Sequence, residues 1–125
     1  MFLNNNYYHI QSQNLQGGKG LFSITIDPTC DIFLGHFPGN PICPGVCGIE
    51  IIRECATLLV GKPLRIASVK SCRFTEVLYP QEERTLTLEL SIEPICSDSS
   101  RVKVNAGIAE QDKVCITFRG EMEQK

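Results

Sequence analysis

His36, one of two histidines in the chain, and Glu50 sit at opposite ends of the run GHFPGNPICPGVCGIE, Gly35 to Glu50. Between them Pro38, Pro41 and Pro44 restrict the backbone, so this loop has little conformational entropy to lose on becoming fixed. Pro44 and Gly45 stand where a helical pattern starts, and the first N–H groups of a helix have no intrahelical acceptor and carry partial positive charge. Oxygen with developing negative charge is stabilised at such a place. Neutral imidazole is available as a base near pH 7. A base, a carboxyl acid and a row of amides could therefore converge on one cavity.

These groups need a frame. From Val46 to Val60, VCGIEIIRECATLLV, steps of 100° gather Glu50, Arg53, Glu54 and Thr57 into one narrow sector and leave the remaining surface apolar. Such a helix must be enclosed, and its polar stripe either meets solvent along a narrow opening, the plainer reading, or faces a site. The rest of the chain reads as strands. RTLTLELSIE, Arg84 to Glu93, alternates strictly, with Leu86, Leu88, Leu90 and Ile92 on one face. RVKVNAGIAE, KVCITFRGE and LFSITID repeat the pattern, RIASVKSCRF is irregular enough to carry a bulge, and a weaker strand is expected over Tyr7 to Gln13. Turns are expected at Gly17-Gly18, Tyr79-Pro80, Ser97 to Ser100 and Glu110 to Lys113, and Asn4 to Asn6 reads as a tail. An α+β architecture follows, with a curved antiparallel sheet of about five or six strands wrapped around one long central helix.

The 125 residues, 42% hydrophobic, suffice for one core and predict a single domain over 1–125. A net charge of −2 with interspersed signs gives no basic block, which argues against nucleic acid as a partner. Neither a cationic, apolar leader nor a long apolar run is present, so a cytoplasmic protein with no membrane span is expected. The seven cysteines are odd in number and lack a C-x-x-C pair, so no metal site is expected and they read as small hydrophobes in a reducing compartment. Cys43 and Cys47 leave a redox pair as the lesser alternative.

The loop and helix start resemble the signature of the 3-hydroxyacyl-acyl-carrier-protein dehydratases of the hot-dog fold. His36, Phe37, Pro38, Pro41, Pro44, Gly45, Val46 and Glu50 match in type and spacing, and VKSCRFTEVLYPQEERTLTLEL is similar more loosely to the strand, proline turn and strand that follow. The resemblance implies removal of water from 3-hydroxyacyl thioesters carried on the phosphopantetheine of an acyl carrier protein, giving trans-2-enoyl thioesters without metal or organic cofactor. It implies His36 as base, Glu50 as acid and the Gly45 N–H as donor to the thioester oxygen, with Phe37, Pro44, Val46, Arg53 and Glu54 about the substrate pocket. It also implies a homodimer, or a trimer of dimers, in which His36 of one chain meets Glu50 of the other, with acyl carrier protein as partner.

Two departures stand out. The family usually carries Gln where Glu54 stands, which alters charge beside the acid. The housekeeping enzymes begin with a longer segment, of whose H-R-x-P-F-L-L-V-D-R-like stretch NNNYYHIQSQNLQGGKGLFSITID retains almost nothing, so the chain looks like a short accessory member, of the kind that serves secondary pathways such as aryl polyene synthesis. An acyl thioesterase and a non-catalytic carrier-binding subunit are the alternative readings, because one fold hosts several chemistries. His36 alone would be an ordinary core or turn histidine; its company sets it apart. His9 has no such company and reads as a surface or strand residue. Lys62, Arg65, Lys70 and Arg73 are candidates to meet an acidic carrier.

Overall fold

In a computed structural model, residues 3–35, 42–80, 85–95 and 97–125 are described. Strand β1 (Tyr8–Gln16) and strand β2 (Lys19–Ile26) form a hairpin, followed by the short helix α1 (Ile32–Gly35) and the long helix α2 (Gly45–Val60). Strands β3 (Leu64–Phe74), β4 (Leu86–Ile95), β5 (Asp98–Glu110) and β6 (Lys113–Gln124) complete a six-stranded sheet in the order β1-β2-β4-β5-β6-β3. Each neighbouring pair is antiparallel.

The alternation in the sequence sets the register. Phe22 pairs with Leu88, Leu88 with Ile108, and Ile108 with Ile116, so one row of apolar side chains crosses four strands. All four are buried, together with Ile51, Ile52, Cys55 and Ala56 of α2. Each fully buried Phe, Leu or Ile side chain among them contributes roughly 1.5–3 kcal/mol through removal of apolar area from water. The helix lies directly on β6: a Cβ added at Gly48 would sit 2.5 Å from Ile116 Cδ1. A larger residue at position 48 would have to displace the row that the helix covers. The helix ends at Gly61, whose N–H donates to the Thr57 carbonyl. This is the hot-dog arrangement that the loop signature implied.

The irregular strand is β3, with register shifts at Ile66/Ser68 and Val69/Ser71. β4 carries a further shift at Pro94/Ile95, where proline has no N–H to give to the ladder. The two turns expected around residues 97–100 and 110–113 are tighter than read, since Ile95 already pairs with Asp98 and Glu110 with Lys113. Gln111 occupies the two-residue turn between β5 and β6 with φ of 56°. β1 runs to Gln16, beyond the expected limit, because the β2 edge continues to offer partners as far as Lys19.

Two further features differ from the sequence reading. Helix α1 is too short to show a period; it follows an Asp27 turn in which Thr29 donates from both its N–H and its hydroxyl to the carboxylate. These bonds, Thr29's foremost, hold the Asp27 carboxyl down at about 2, and the His9 ring meets the same group at 3.1 Å. The second difference is the N-terminus. Asn4 to Asn6 is a folded turn rather than a tail, in which the Tyr7 and Asn6 N–H groups donate to the Leu3 carbonyl and Asn5 takes φ of 67°. Leu3 and Tyr7 are buried at its two ends. No helix among the described residues is long and apolar enough to cross a membrane.

Candidate active site

Helix α2 begins abruptly. Pro44 is extended, at φ −63° and ψ 139°, and no side chain caps the first turn. The Cys47 N–H returns to the Pro44 carbonyl at 3.1 Å, which leaves the Gly45 amide at the head of the helix. Beside it a cavity of about 320 Å³ opens between helix and sheet, bounded by Pro44, Gly45, Gly48 and Ile51 on one side and by Ile26, Leu86, Ile108 and Ile116 on the other. Tyr7, Cys43, Phe74 and Leu78 complete much of the wall. Gly45 lies against the Phe74 ring so closely that an added Cβ would be 2.9 Å from Cε1. An apolar chamber with amide donors at one end suits an alkyl chain joined to a carbonyl oxygen.

Glu50 points elsewhere. It lies about 200° around the helix from Gly48 and is not among the described residues that line this cavity. Its carboxylate is gripped by Arg53: Nε donates to Oε1 at 2.9 Å and to Oε2 at 3.1 Å, and Nη2 donates to Oε1 at 2.5 Å. Arg53 Nη1 in turn donates to the Leu64 carbonyl at the start of β3. The guanidinium, held above its ordinary value chiefly by its hydrogen bonds to Glu50, thus fixes the carboxylate to the sheet. Oε2 receives the fewer bonds.

Glu54 does neither of the things expected of a polar stripe. It opens to neither solvent nor cavity; it is buried, and it anchors the N-terminal turn. Leu3 N–H donates to Oε2 at 2.7 Å, Asn4 N–H to Oε1 at 2.9 Å, and the Tyr8 hydroxyl to Oε1 at 3.1 Å. Burial pushes the Tyr8 phenol far above its ordinary value, so it serves as a neutral donor. Gln cannot replace this group, because its single oxygen leaves an NH₂ facing a backbone N–H. Glu54→Gln is therefore expected to lower stability by about 1–3 kcal/mol. Thermal melts of parent and variant would show this as a fall of several degrees; an unchanged midpoint would mean that the anchor contributes nothing.

The comparisons with known proteins bear on this site. A family model described as ApeI-like, ApeI dehydratase, matches residues 11–118. The chain belongs to the ApeI-like dehydratase family. It is also 30% identical over 123 residues to a 3-hydroxyacyl-acyl-carrier-protein dehydratase, FabZ, from Pediococcus pentosaceus, covering 83% of this chain and 75% of that one. A FabZ from Lactobacillus helveticus is 33% identical over 94 residues, 70% of this chain, and the match spans 61% of its length. In fold, the chain is similar to a structure titled the dehydratase heterocomplex ApeI:P from Xenorhabdus doucetiae, with a TM-score of 0.73, 20% identity, and coverage of 93% of this chain and 97% of that one.

For a member of the ApeI-like dehydratase family, Pro44 and Gly45 stand where the sequence reading put them, at the cavity and the helix start. His36 and Phe37 lie outside the described residues. Val46 is 71% exposed, and neither it nor Arg53 nor Glu54 lines the cavity of its own chain. Helical geometry explains it, because Gly45, Gly48 and Ile51 share the inward face. Cys43 and Cys47 are both free thiols, and burial pushes Cys43 up to about 11 and raises Cys47 as well, which disfavours the thiolate at either position. Tyr7, Phe74 and Leu78 were missed as wall residues. Each belongs to a different segment, and nothing local in the sequence brings the three together.

Proposed function

We propose that this chain dehydrates 3-hydroxyacyl thioesters carried on the phosphopantetheine of an acyl carrier protein, in the cytoplasm, to give trans-2-enoyl thioesters. The observation that carries the reading is the apolar cavity beside the uncapped start of α2, in a chain of the ApeI-like dehydratase family. The acyl chain lies in the cavity and the thioester oxygen receives the Gly45 N–H. His36 takes a proton from C2, the electron pair forms the C2–C3 double bond through the enolate, and the C3–O bond breaks as Glu50 gives a proton to the leaving hydroxyl, which departs as water. The steps are proton transfers and the loss of water, with no net oxidation or reduction, so no cofactor beyond the carrier's pantetheine arm is called for.

The orientation of Glu50 away from its own chain's cavity supports a site shared between two protomers, with His36 and the cavity of one facing Glu50 of its partner. A homodimer provides this. A second chain of the same fold would too, as in the Xenorhabdus dehydratase heterocomplex. The test supplies 3-hydroxyacyl thioesters on acyl carrier protein to the purified chain and follows enoyl product and free thiol. The parent is expected to form enoyl thioester, and His36→Ala to be slower by about 10²–10⁴-fold. Thiol release without a double bond would replace this reading with a thioesterase, and binding without either product would point to a non-catalytic subunit.

A further inference from the structure

The geometry points to Tyr7 as the residue that sets the acyl-chain length this cavity accepts, with Glu54 as the positioning residue that holds it there. The inference rests on the dehydratase reading. Tyr7 is 1% exposed and forms part of the cavity wall. It is fixed at every point. The ring stacks on Phe33 of α1 with centroids 5.4 Å apart, and the side chain lies beside the Cys43 thiol. The backbone N–H donates to the Leu3 carbonyl at 2.8 Å, and its carbonyl accepts from the Asp27 N–H at 2.8 Å.

The turn that delivers Tyr7 is itself fastened to the middle of α2. The Glu54 carboxylate takes the N–H groups of Leu3 and Asn4 and the hydroxyl of Tyr8, the residue beside Tyr7. A side chain tethered this way cannot swing aside to admit a longer chain, so the wall is rigid. The family match begins at residue 11, so Tyr7 and its turn lie outside the part that the family model covers. A wall supplied by a segment outside that match is a place for substrate preference to differ among members that share the same helix start.

The test compares 3-hydroxyoctanoyl, 3-hydroxydodecanoyl and 3-hydroxyhexadecanoyl thioesters on acyl carrier protein. In Tyr7→Leu the ratio of kcat/KM for the longest over the shortest chain is expected to rise about 10-fold or more, the scale set by adding room for methylene groups in an apolar pocket. Tyr7→Phe, which keeps the ring, should leave the ratio near the parent's. Glu54→Gln should move it in the same direction as Tyr7→Leu, though less, without touching substrate. A role confined to stability would lower the active fraction for all chains alike and leave the ratio unmoved, which would overturn the inference.

A measurement on the parent protein stands apart from these variants. An acyl-pantetheine probe with a diazirine at the chain terminus, irradiated in the complex, should insert into the Met1–Lys19 peptide at Tyr7. Insertion only elsewhere would overturn the inference even if a variant failed to fold. A parent that dehydrates none of the three substrates, yet labels at Tyr7, would sink the dehydratase reading and leave the wall assignment standing.

Discussion

Glu50→Gln is expected to lower kcat for dehydration by about 10²–10⁴-fold while leaving KM within a small factor of the parent's. Glutamine matches glutamate in shape but has no acidic proton to give, so the C3–O bond must break without assistance. The substitution also disturbs the Arg53 grip. Nε and Nη2 both donate to the carboxylate, and an amide can oppose them with one oxygen only. Because the Arg53 head is also tied to the Leu64 carbonyl, it stays in place, and the amide must rotate to present its oxygen. Glu50→Asp tests the same point by reach, since a side chain one methylene shorter cannot keep both the guanidinium and the reacting hydroxyl. Single-turnover rates with carrier-bound substrate would measure both variants, and a Glu50→Gln enzyme within a few-fold of the parent would remove Glu50 from the reaction.

The parts of this molecule that were legible in the sequence are those governed by neighbours along the chain. The period of two in Leu86, Leu88 and Leu90 fixes which face of β4 is buried, and the matching patterns in β2, β5 and β6 then allow the single register in which Phe22, Leu88, Ile108 and Ile116 align. The helix start was legible because proline followed by glycine stops an extended segment and opens a helix within two residues. What stayed hidden depends on partners far apart in sequence. Glu54 meets Leu3 from 51 residues away, so nothing local distinguishes an anchor carboxylate from a solvated one. The same holds for Tyr7, whose fixed position comes from Phe33, Cys43 and Asp27 on three different segments. Arg53 and Glu54 were rightly grouped with Glu50 on one stripe, but the start of β3 and the N-terminal turn engage Arg53 and Glu54 as internal fastenings, while the Glu50 side chain stays 19% exposed.

Gly45→Pro is expected to reduce kcat by about 10²–10³-fold relative to Gly45→Ala, the loss that follows removal of one oxyanion donor. Proline is tolerated at the first helical position, because the N–H it lacks has no intrahelical partner there. The preceding residue must then be extended, and Pro44 already is, at φ −63° and ψ 139°. The helix should therefore persist while its leading amide disappears. Sterics need a separate control, since any Cβ at this position would lie 2.9 Å from Phe74 Cε1. Phe74 is 51% exposed, so its ring has room to move aside. Gly45→Ala carries the same Cβ and keeps the N–H, so the ratio of the two variants isolates the donor. If substrate binding is similar in both and only the proline variant loses rate, the amide acts on charge that builds up as the C2 proton leaves. If the two variants lose rate equally, the crowding against Phe74 accounts for the effect, and the thioester oxygen must find its donor elsewhere on the first turn of α2.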